Sequence, residues 1–509
     1  MGKNQFILIC AFLIIICLPM IAGYAWEGNN TNYNGLLIAP IDGNSYLAKM
    51  VEGQRGEWKF TLPYTSEKGK GAYIFLYYLF LGHVSRWFHL PIVLVFQIAR
   101  VIGALCLASA VGLWIRRTIQ DQRIQFFTMI LILFGSGMGW LLLPFKVIPT
   151  DLWVSEAYPF LSSLANPHFP LGIAFILWII YLYTLPETWA RITYLFDLTL
   201  LLSLVMPFGV VIVCMIVLLI EVANGIKKQK VQIIKLAITT IGGGAYLLYQ
   251  YFTILSDPML SQWNNQNITA APPVWDVVIS FSPALLLAVY GIGKFRKDQE
   301  FISQYLPFVI WIIGGAVLLY LPFNLQRRFL VGYFVPVGLM SGILLEKFRK
   351  SSNADKLKKL PVVVLALSLI TNIIFLTGIL GTLKKNDPLY YQSNDEIATL
   401  QWLNENARSQ SVILASPQFA NLIPAKTNMR VVYGHPFETI GAENQINKIE
   451  SYYKGKMSVI DIQQWFNDQN VSYVIIGPWE KMLGNDLNST NLSLVKQQGD
   501  IQIYMVTNE

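Results

Sequence analysis

Read from its residues, this chain is a polytopic α-helical membrane protein that ends in a small α/β domain on the outer face of the bilayer. Three observations predict this. Charged residues fill only 13% of the 509 positions and hydrophobic ones 54%, whereas soluble domains carry about 25% charged residues. The apolar residues gather in long runs, with basic residues concentrated in the polar stretches between them. Beyond residue 384 the long runs give way to short apolar segments that alternate with amphipathic ones.

The elements follow in chain order. Lys3 precedes an apolar run over 6–20, and Gly23-Tyr24-Ala25 resembles a signal-peptidase site. The run is close to spanning length, so an uncleaved first span is expected. In either case the chain after Ala25 emerges outside. The stretch 26–70 is long and polar, and 72–90 is apolar but carries His83, Arg86 and His89. That mixture predicts a helix lying along the outer interface, so that 26–90 forms the first outer loop. Further apolar segments fall near 91–115, 124–143, 169–185, 193–206, 208–221, 231–252, 276–293, 303–322, 329–346 and 361–383. With the first run this makes about eleven spans, at roughly 20 residues each. The pair meeting at Met206-Pro207 is short for two spans.

Charge sets the orientation. The inner loops would hold Arg116, Arg117, Arg123, Arg191, Lys227, Lys228, Lys230, Lys235, Lys294, Arg296, Lys297 and the basic run from Lys347 to Lys359. This excess places the N-terminus inside, and an odd number of spans then places the tail outside. The expected organisation is a transmembrane module over 1–383 and a soluble extracytoplasmic domain over 384–509, in the plasma or inner membrane of a cell.

In the tail, Asn394 to Asn406 has helical apolar spacing at Ile397, Leu400 and Leu403. Ser411 to Ser416, Arg430 to Tyr433 and Val471 to Ile476 read as short buried strands. Val459 to Asp468 reads as another helix, and Gly499-Asp500 as the turn of a terminal hairpin. Alternating strands and helices predict an α/β fold.

Several function classes drop out. A net charge of +8 could suggest nucleic acid, but its placement between apolar spans is what membrane topology requires. Cys10, Cys17, Cys106 and Cys214 lie in apolar runs without metal-ligand spacing and read as packing residues. Gly242-Gly243-Gly244 lies in a span and lacks the Lys and Ser/Thr of a phosphate-binding loop. No nucleophile elbow is present. No internal repeat is visible, which weighs against a transporter built from inverted halves.

Chemistry can reside in three places. Asp42, in the first outer loop, is a carboxylate close to the membrane surface. It can act as a general base toward a lipid-borne substrate, although Asp42-Gly43 is equally a turn signal. The loop 145–168 holds Asp151, Glu156 and Asn166-Pro167-His168-Phe169. Its carboxylates and histidine either bind a hydroxyl-rich acceptor or a divalent cation, or are solvated loop charges beside an interfacial histidine. The third place is Arg327-Arg328, at the outer end of a span and against the charge rule. Arginine near membrane depth is costly and takes an anionic partner. Its planar fork fits phosphate oxygens: those of a specific lipid phosphate or pyrophosphate, or of ordinary head groups reached by snorkelling.

The whole arrangement resembles the GT-C glycosyltransferases, polytopic enzymes that transfer sugar from a polyprenyl-phosphate carrier. The residues that carry the resemblance are Asp42 with Tyr46, Pro63-Tyr64-Thr65-Ser66-Glu67, Gly82-His83-Val84-Ser85-Arg86, Asn166-Pro167-His168-Phe169 and Gln326-Arg327-Arg328-Phe329. In the tail they are Ala415-Ser416-Pro417 and Gly434-His435-Pro436-Phe437-Glu438-Thr439. The resemblance implies a polyprenyl-phosphate-linked sugar donor and an acceptor hydroxyl, with Asp42 deprotonating or orienting that hydroxyl. It implies that Arg327 and Arg328 stabilise the departing phosphate. Arg86, Tyr46, Glu156 and His168 would be further substrate contacts. Many members carry two adjacent acids in the first loop, whereas here Gly43 follows Asp42; a divalent cation therefore stays open as cofactor. The competing readings are a lipid or glycolipid flippase, and a non-catalytic assembly protein with an outer binding domain. Charged residues inside spans would favour the flippase, and Arg100 and Asp197 are the main ones.

Overall fold

The computed structural model describes residues 2–350, 359–484 and 491–507. The chain divides into two compact units. The first comprises Met1–Ala22, Gln97–Tyr249 and Ile268–Thr382, and the second Gly23–Phe96, Gln250–Asn267 and Leu383–Glu509.

The first unit is helical. Every apolar segment read from the sequence is helical, though not always as one unbroken helix, starting with α1 (Lys3–Ala25). Among the described residues, seven helices are long and apolar enough to cross a membrane. They become eight if the pair Val274–Phe281 and Ala284–Phe295, bent by 94°, is one broken span. Pro283 stands in that break and has no N–H with which to continue a helix. The expected span over 124–143 is also interrupted: a helix over Gln122–Phe134 is followed by a 3-10 turn over Gly139–Phe145. Gly137, between them, leaves no room for a Cβ, which would lie 1.9 Å from the Ser280 carbonyl oxygen.

Helix Phe334–Arg349 lies buried at the centre of this unit. Small residues let it approach its neighbours, as helix packing in lipid favours. A Cβ on Gly338 would meet Ile132 at 2.5 Å, and one on Gly342 would meet Thr128 at 2.2 Å. The charged exceptions have bland explanations. Arg100 is fully buried and donates to the Ser163 carbonyl at 2.6 Å and to Gln97 Oε1 at 2.7 Å, so it satisfies a helix end. Asp197 is exposed on its helix.

The second unit combines the first loop with the tail. The stretch 26–70 is not the plain polar loop its composition predicts. It contains helix α2 (Pro40–Gln54), which packs on α3 (Leu76–Phe88). Pro40 at the first helical position and Asp42 in the first turn are favourable helix starts. Glycine permits the close packing of the pair: a Cβ on Gly53 would lie 2.1 Å from the Leu79 carbonyl oxygen, and one on Gly82 would lie 2.1 Å from that of Met50.

Strand β1 (Thr31–Tyr33) pairs antiparallel with β2 (Tyr391–Ser393). The main sheet holds β3 (Val412–Leu414), β4 (Arg430–Val431), β5 (Val471–Ile476), β6 (Leu492–Gln498) and β7 (Ile501–Val506), in the order β4-β3-β5-β7-β6. The first three strands run parallel, and the hairpin β6–β7 joins antiparallel. Side chains alternate across the sheet as strand geometry requires. Ile413, Ile475 and Ile503 face one core with Leu400 and Leu403. Val412, Leu414 and Val474 face another with Tyr452 and Trp465. Ala48 and Tyr64 of the first loop sit in the first of these cores. Helix Asn394–Asn406 starts with a reciprocal capping box between Ser393 and Glu396.

Candidate active site

Asp42 stands in the first turn of α2. The chain enters the helix through Ala39, held in the left-handed region at φ 45°; such backbone costs about 1–2 kcal/mol for a residue with a Cβ. Gly43 allows Leu36 to pack beside this turn, at the position a Cβ would occupy. The Asp42 side chain is 53% exposed, and its Oδ1 lies 3.1 Å from His435 Nε2.

The tautomer of His435 follows from its other nitrogen. Nδ1 accepts the backbone N–H of Phe437 at 3.1 Å and of Glu438 at 3.2 Å. It must therefore be unprotonated, which places the hydrogen on Nε2, where it donates to Asp42. The imidazole itself is buried.

The loop that carries His435 is held from several sides. Thr439 Oγ1 accepts the N–H of Gly434 and of His435 and donates to the Tyr64 carbonyl at 2.8 Å. Asn421 donates to the Gly434 and Ile41 carbonyls and accepts from Asn44 at 2.8 Å. Tyr64 donates its hydroxyl hydrogen to the Asn421 carbonyl. Glu438 Oε1 pairs with Lys49 Nζ at 2.8 Å, both buried. The ammonium also sits over the rings of Phe75 at 4.4 Å and Phe60 at 4.9 Å. Tyr46, one turn beyond Asp42, stacks on Tyr78 at 4.4 Å and forms another wall beside Lys49. These contacts fix the first turn of α2 against the loop 434–439. Arg430 adds to this by donating to the carbonyls of Thr65, Leu62 and Glu67.

Glu52, on the far turns of α2, is buried and accepts from Thr61 Oγ1. Burial raises its carboxyl to about 7, against the opposing pull of the Thr61 hydrogen bond, Arg430 and Lys49. Arg86 is exposed in the last turn of α3. His83, one turn earlier, stacks on Trp58 at 4.0 Å and meets the Glu57 carbonyl.

A separate charged centre lies in the first unit. Arg327 and Arg328 occupy a 3-10 turn over Gln326–Leu330. Arg327 Nε is 3.4 Å and Arg328 Nη1 3.3 Å from the same oxygen, Glu156 Oε1. One carboxylate thus faces two guanidiniums. Arg327 also lies over the Trp153 ring at 4.7 Å. The Glu156 carbonyl accepts the N–H of Gly332 at 2.9 Å, which fixes the turn on the loop. His168 opens helix His168–Tyr183, buried with its ring 4.0 Å from that of Phe169. Asp151 is fully buried; it accepts from the N–H groups of Gly137 and Gly139, and burial raises its carboxyl to about 6.

Among the residues singled out in the sequence, the structure brings Glu156 to Arg327 and Arg328, and puts Asp42 and Tyr46 one turn apart on one helix. Sequence reasoning gave His435 no partner, because a loop position carries no pairing information. It missed Asn44 and Asn421 altogether. Glu438, read alongside His435, is a buried structural counter-ion. Among the described residues no group of three or more His, Cys, Asp or Glu side chains is arranged to hold a metal ion.

No protein-family model matches the sequence, and no curated protein sequence matches it. Solved structures do. The Archaeoglobus fulgidus oligosaccharyltransferase tethered with an acceptor peptide superposes with a TM-score of 0.55 at 10% identity, over 92% of this chain and 69% of that one. The archaeal oligosaccharyltransferase AglB from the same organism, in complex with an inhibitory peptide and a dolichol-phosphate, gives 0.53 at 11% identity, over 93% and 70%. ArnT from Cupriavidus metallidurans, bound to undecaprenyl phosphate, gives 0.52 at 9% identity, over 99% and 98%. The likeness is one of fold: this chain shares the fold of these three structures.

Proposed function

We propose that this chain is a membrane glycosyltransferase that moves a sugar from a polyprenyl-phosphate-linked donor to an acceptor hydroxyl at the outer membrane face. The observation that carries the reading is the Asp42–His435 pair: a half-exposed carboxylate at a helix N-terminus, aimed by a buried imidazole of fixed tautomer. The neighbours' lipid phosphates, dolichol-phosphate and undecaprenyl phosphate, support the donor class.

In this reading Asp42 takes the proton of the acceptor hydroxyl as its oxygen bonds to the anomeric carbon. The bond from that carbon to the phosphate oxygen breaks, and polyprenyl phosphate leaves with the electron pair. His435 is a positioning residue; its Nε2–H holds the carboxylate in one orientation. Arg327 and Arg328 stabilise the growing phosphate charge, an electrostatic role that is strongest in the transition state, and Glu156 holds the two side chains ready. Arg86, Tyr46 and His168 are the remaining candidates for substrate contact, with Tyr46 also supporting Lys49. The membrane module would span 1–383, with 384–509 outside.

The experiment is transfer of labelled sugar from a synthetic polyprenyl-phosphate donor by purified protein, with Asp42→Asn beside the wild type. The expected result is transfer by the wild type and a loss of about 10²–10⁴-fold in the variant. Full transfer by Asp42→Asn would remove Asp42 from this role.

A further inference from the structure

A pocket of about 330 Å³ opens beside the Asp42–His435 pair, at the lower end of the range for small-molecule sites, about 300–1,000 Å³. Its wall includes Ile41 and Asn44, which bracket Asp42 in sequence, and Gly434 and Pro436, which bracket His435. Apart from Pro40, the remaining wall comes from the tail and includes Gln418, Trp479, Glu396 and Asp387.

We infer that this pocket binds the acceptor, and that the acceptor is an uncharged or amine-bearing saccharide; the acceptor assignment rests on the transfer reading above. Three features point to this class. The lining holds two carboxylates and no Lys, Arg or His, so its charge repels a phosphate and suits a neutral or cationic group. The lipid-phosphate donor therefore has its charge met elsewhere.

The second feature is the polar equipment. Asn44 is buried, and its Oδ1 has no hydrogen-bond partner among the described residues. A buried acceptor without a donor is costly, about 1–3 kcal/mol, and a small rotation of Asn44 toward the pocket it lines would let a ligand hydroxyl or amine satisfy it. The Asn44 amide hydrogen is already committed to Asn421, which ties it to the loop before His435. Glu396 is held in place by Trp479 Nε1 at 2.7 Å and by the Ser393 N–H at 2.7 Å, so a carboxylate and an indole are fixed together in the wall.

The third feature is Trp479 itself, half-buried with its N–H engaged. It offers an apolar aromatic surface between polar groups, the combination that sugar rings need, with their apolar C–H faces and hydroxyl edges.

The test is saturation-transfer NMR on the full chain in nanodiscs, with N-acetylglucosamine, glucosamine, glucose 1-phosphate and an uncharged tripeptide as probes. Gln418 is exposed on the rim, so Gln418→Trp fills the pocket without entering a core, and Gln418→Arg adds a cation. Both sugars without phosphate are expected to bind. Gln418→Trp should weaken both by about tenfold or more, and Gln418→Arg should weaken glucosamine more than N-acetylglucosamine. No binding of either sugar, undiminished binding in Gln418→Trp, or binding of glucose 1-phosphate or the tripeptide in their place would overturn the proposal. Because this readout needs no turnover, its failure is distinct from a failure of transfer. Sugar binding by a chain that transfers nothing would leave the pocket in place and remove the enzyme reading.

Discussion

Substituting His435 separates an aimed base from an incidental contact. His435→Asn removes the Nε2–H bond to Asp42, 3.1 Å long, while keeping an acceptor where Nδ1 receives the Phe437 and Glu438 amides. A hydrogen bond to a charged partner contributes about 1.5–3 kcal/mol, so transfer should fall roughly ten- to a hundredfold. The loss belongs in kcat, because the bond orients the base and does not hold the donor; donor KM should stay within about twofold. The assay is release of polyprenyl phosphate from a synthetic donor, with membrane extract supplying the acceptor. A double-mutant cycle sharpens it. In the Asp42→Asn background the imidazole has no carboxylate to aim, so His435→Asn should cost little more there. Full activity in His435→Asn, or losses that multiply independently in the double variant, would refute the positioning role.

Four further outcomes follow from the same geometry. Arg327→Lys should raise donor KM or lower kcat nearly as much as Arg327→Ala, because a point charge does not reproduce a planar fork; complete rescue by lysine in donor titrations would count against phosphate recognition. Lys49→Met alone strands the buried Glu438 carboxylate and should destabilise the fold by about 3–5 kcal/mol, whereas Lys49→Met with Glu438→Leu recovers much of that in apparent Tm. Gly82→Ala forces a Cβ against the Met50 carbonyl and should cost about 1–3 kcal/mol by overpacking, read as a lowered melting temperature in detergent. Glu52 is raised from 4.5 to about 7, so the folded state holds its proton more tightly than the unfolded chain. Its contribution is complete below about pH 4.5 and is lost as pH rises to about 7, worth up to about 3 kcal/mol. Glu52→Gln should flatten that fall in stability between pH 5 and pH 8.

The helices were legible because lipid imposes a simple rule: long apolar runs must be helical. Every such run from α1 to Leu360–Lys384 is helical, though not always as one unbroken helix. Val459–Asp468, Asn394–Asn406 and the strand Val471–Ile476 fall where local periodicity puts them. The breaks were harder to read. The 94° bend at 282–283 depends on Pro283 and its surroundings, and hydropathy averages across it. Helix α2 was hidden because its sequence, with Gly43, Asn44, Ser45 and Gly53, has weak helical propensity. It forms because it packs under Tyr64, Ala420 and α3, a tertiary cause that no local window contains.

The site shows the same division. Asp42, Glu156 and the arginine pair were visible as residues whose charge needed an explanation. Their partners were not, because Asp42 and His435 are 393 positions apart and Glu156 and Arg328 are 172 apart. The anionic partner expected for Arg327-Arg328 was a phosphate; the structure adds the Glu156 carboxylate, which sequence alone did not pair with them. Helix Ala442–Tyr453 went unread, its polar face masking the buried Ile449, Tyr452 and Tyr453.

The central claim is bond transfer at the membrane, and reconstitution tests it most directly. Liposomes containing the purified chain, a polyprenyl-phosphate donor with labelled sugar and an outer acceptor extract should yield labelled acceptor and an equal amount of polyprenyl phosphate. Asp42→Asn should lower both by about 10²–10⁴-fold. Movement of intact donor across the bilayer with no glycosidic bond made or broken would contradict the account and identify a flippase.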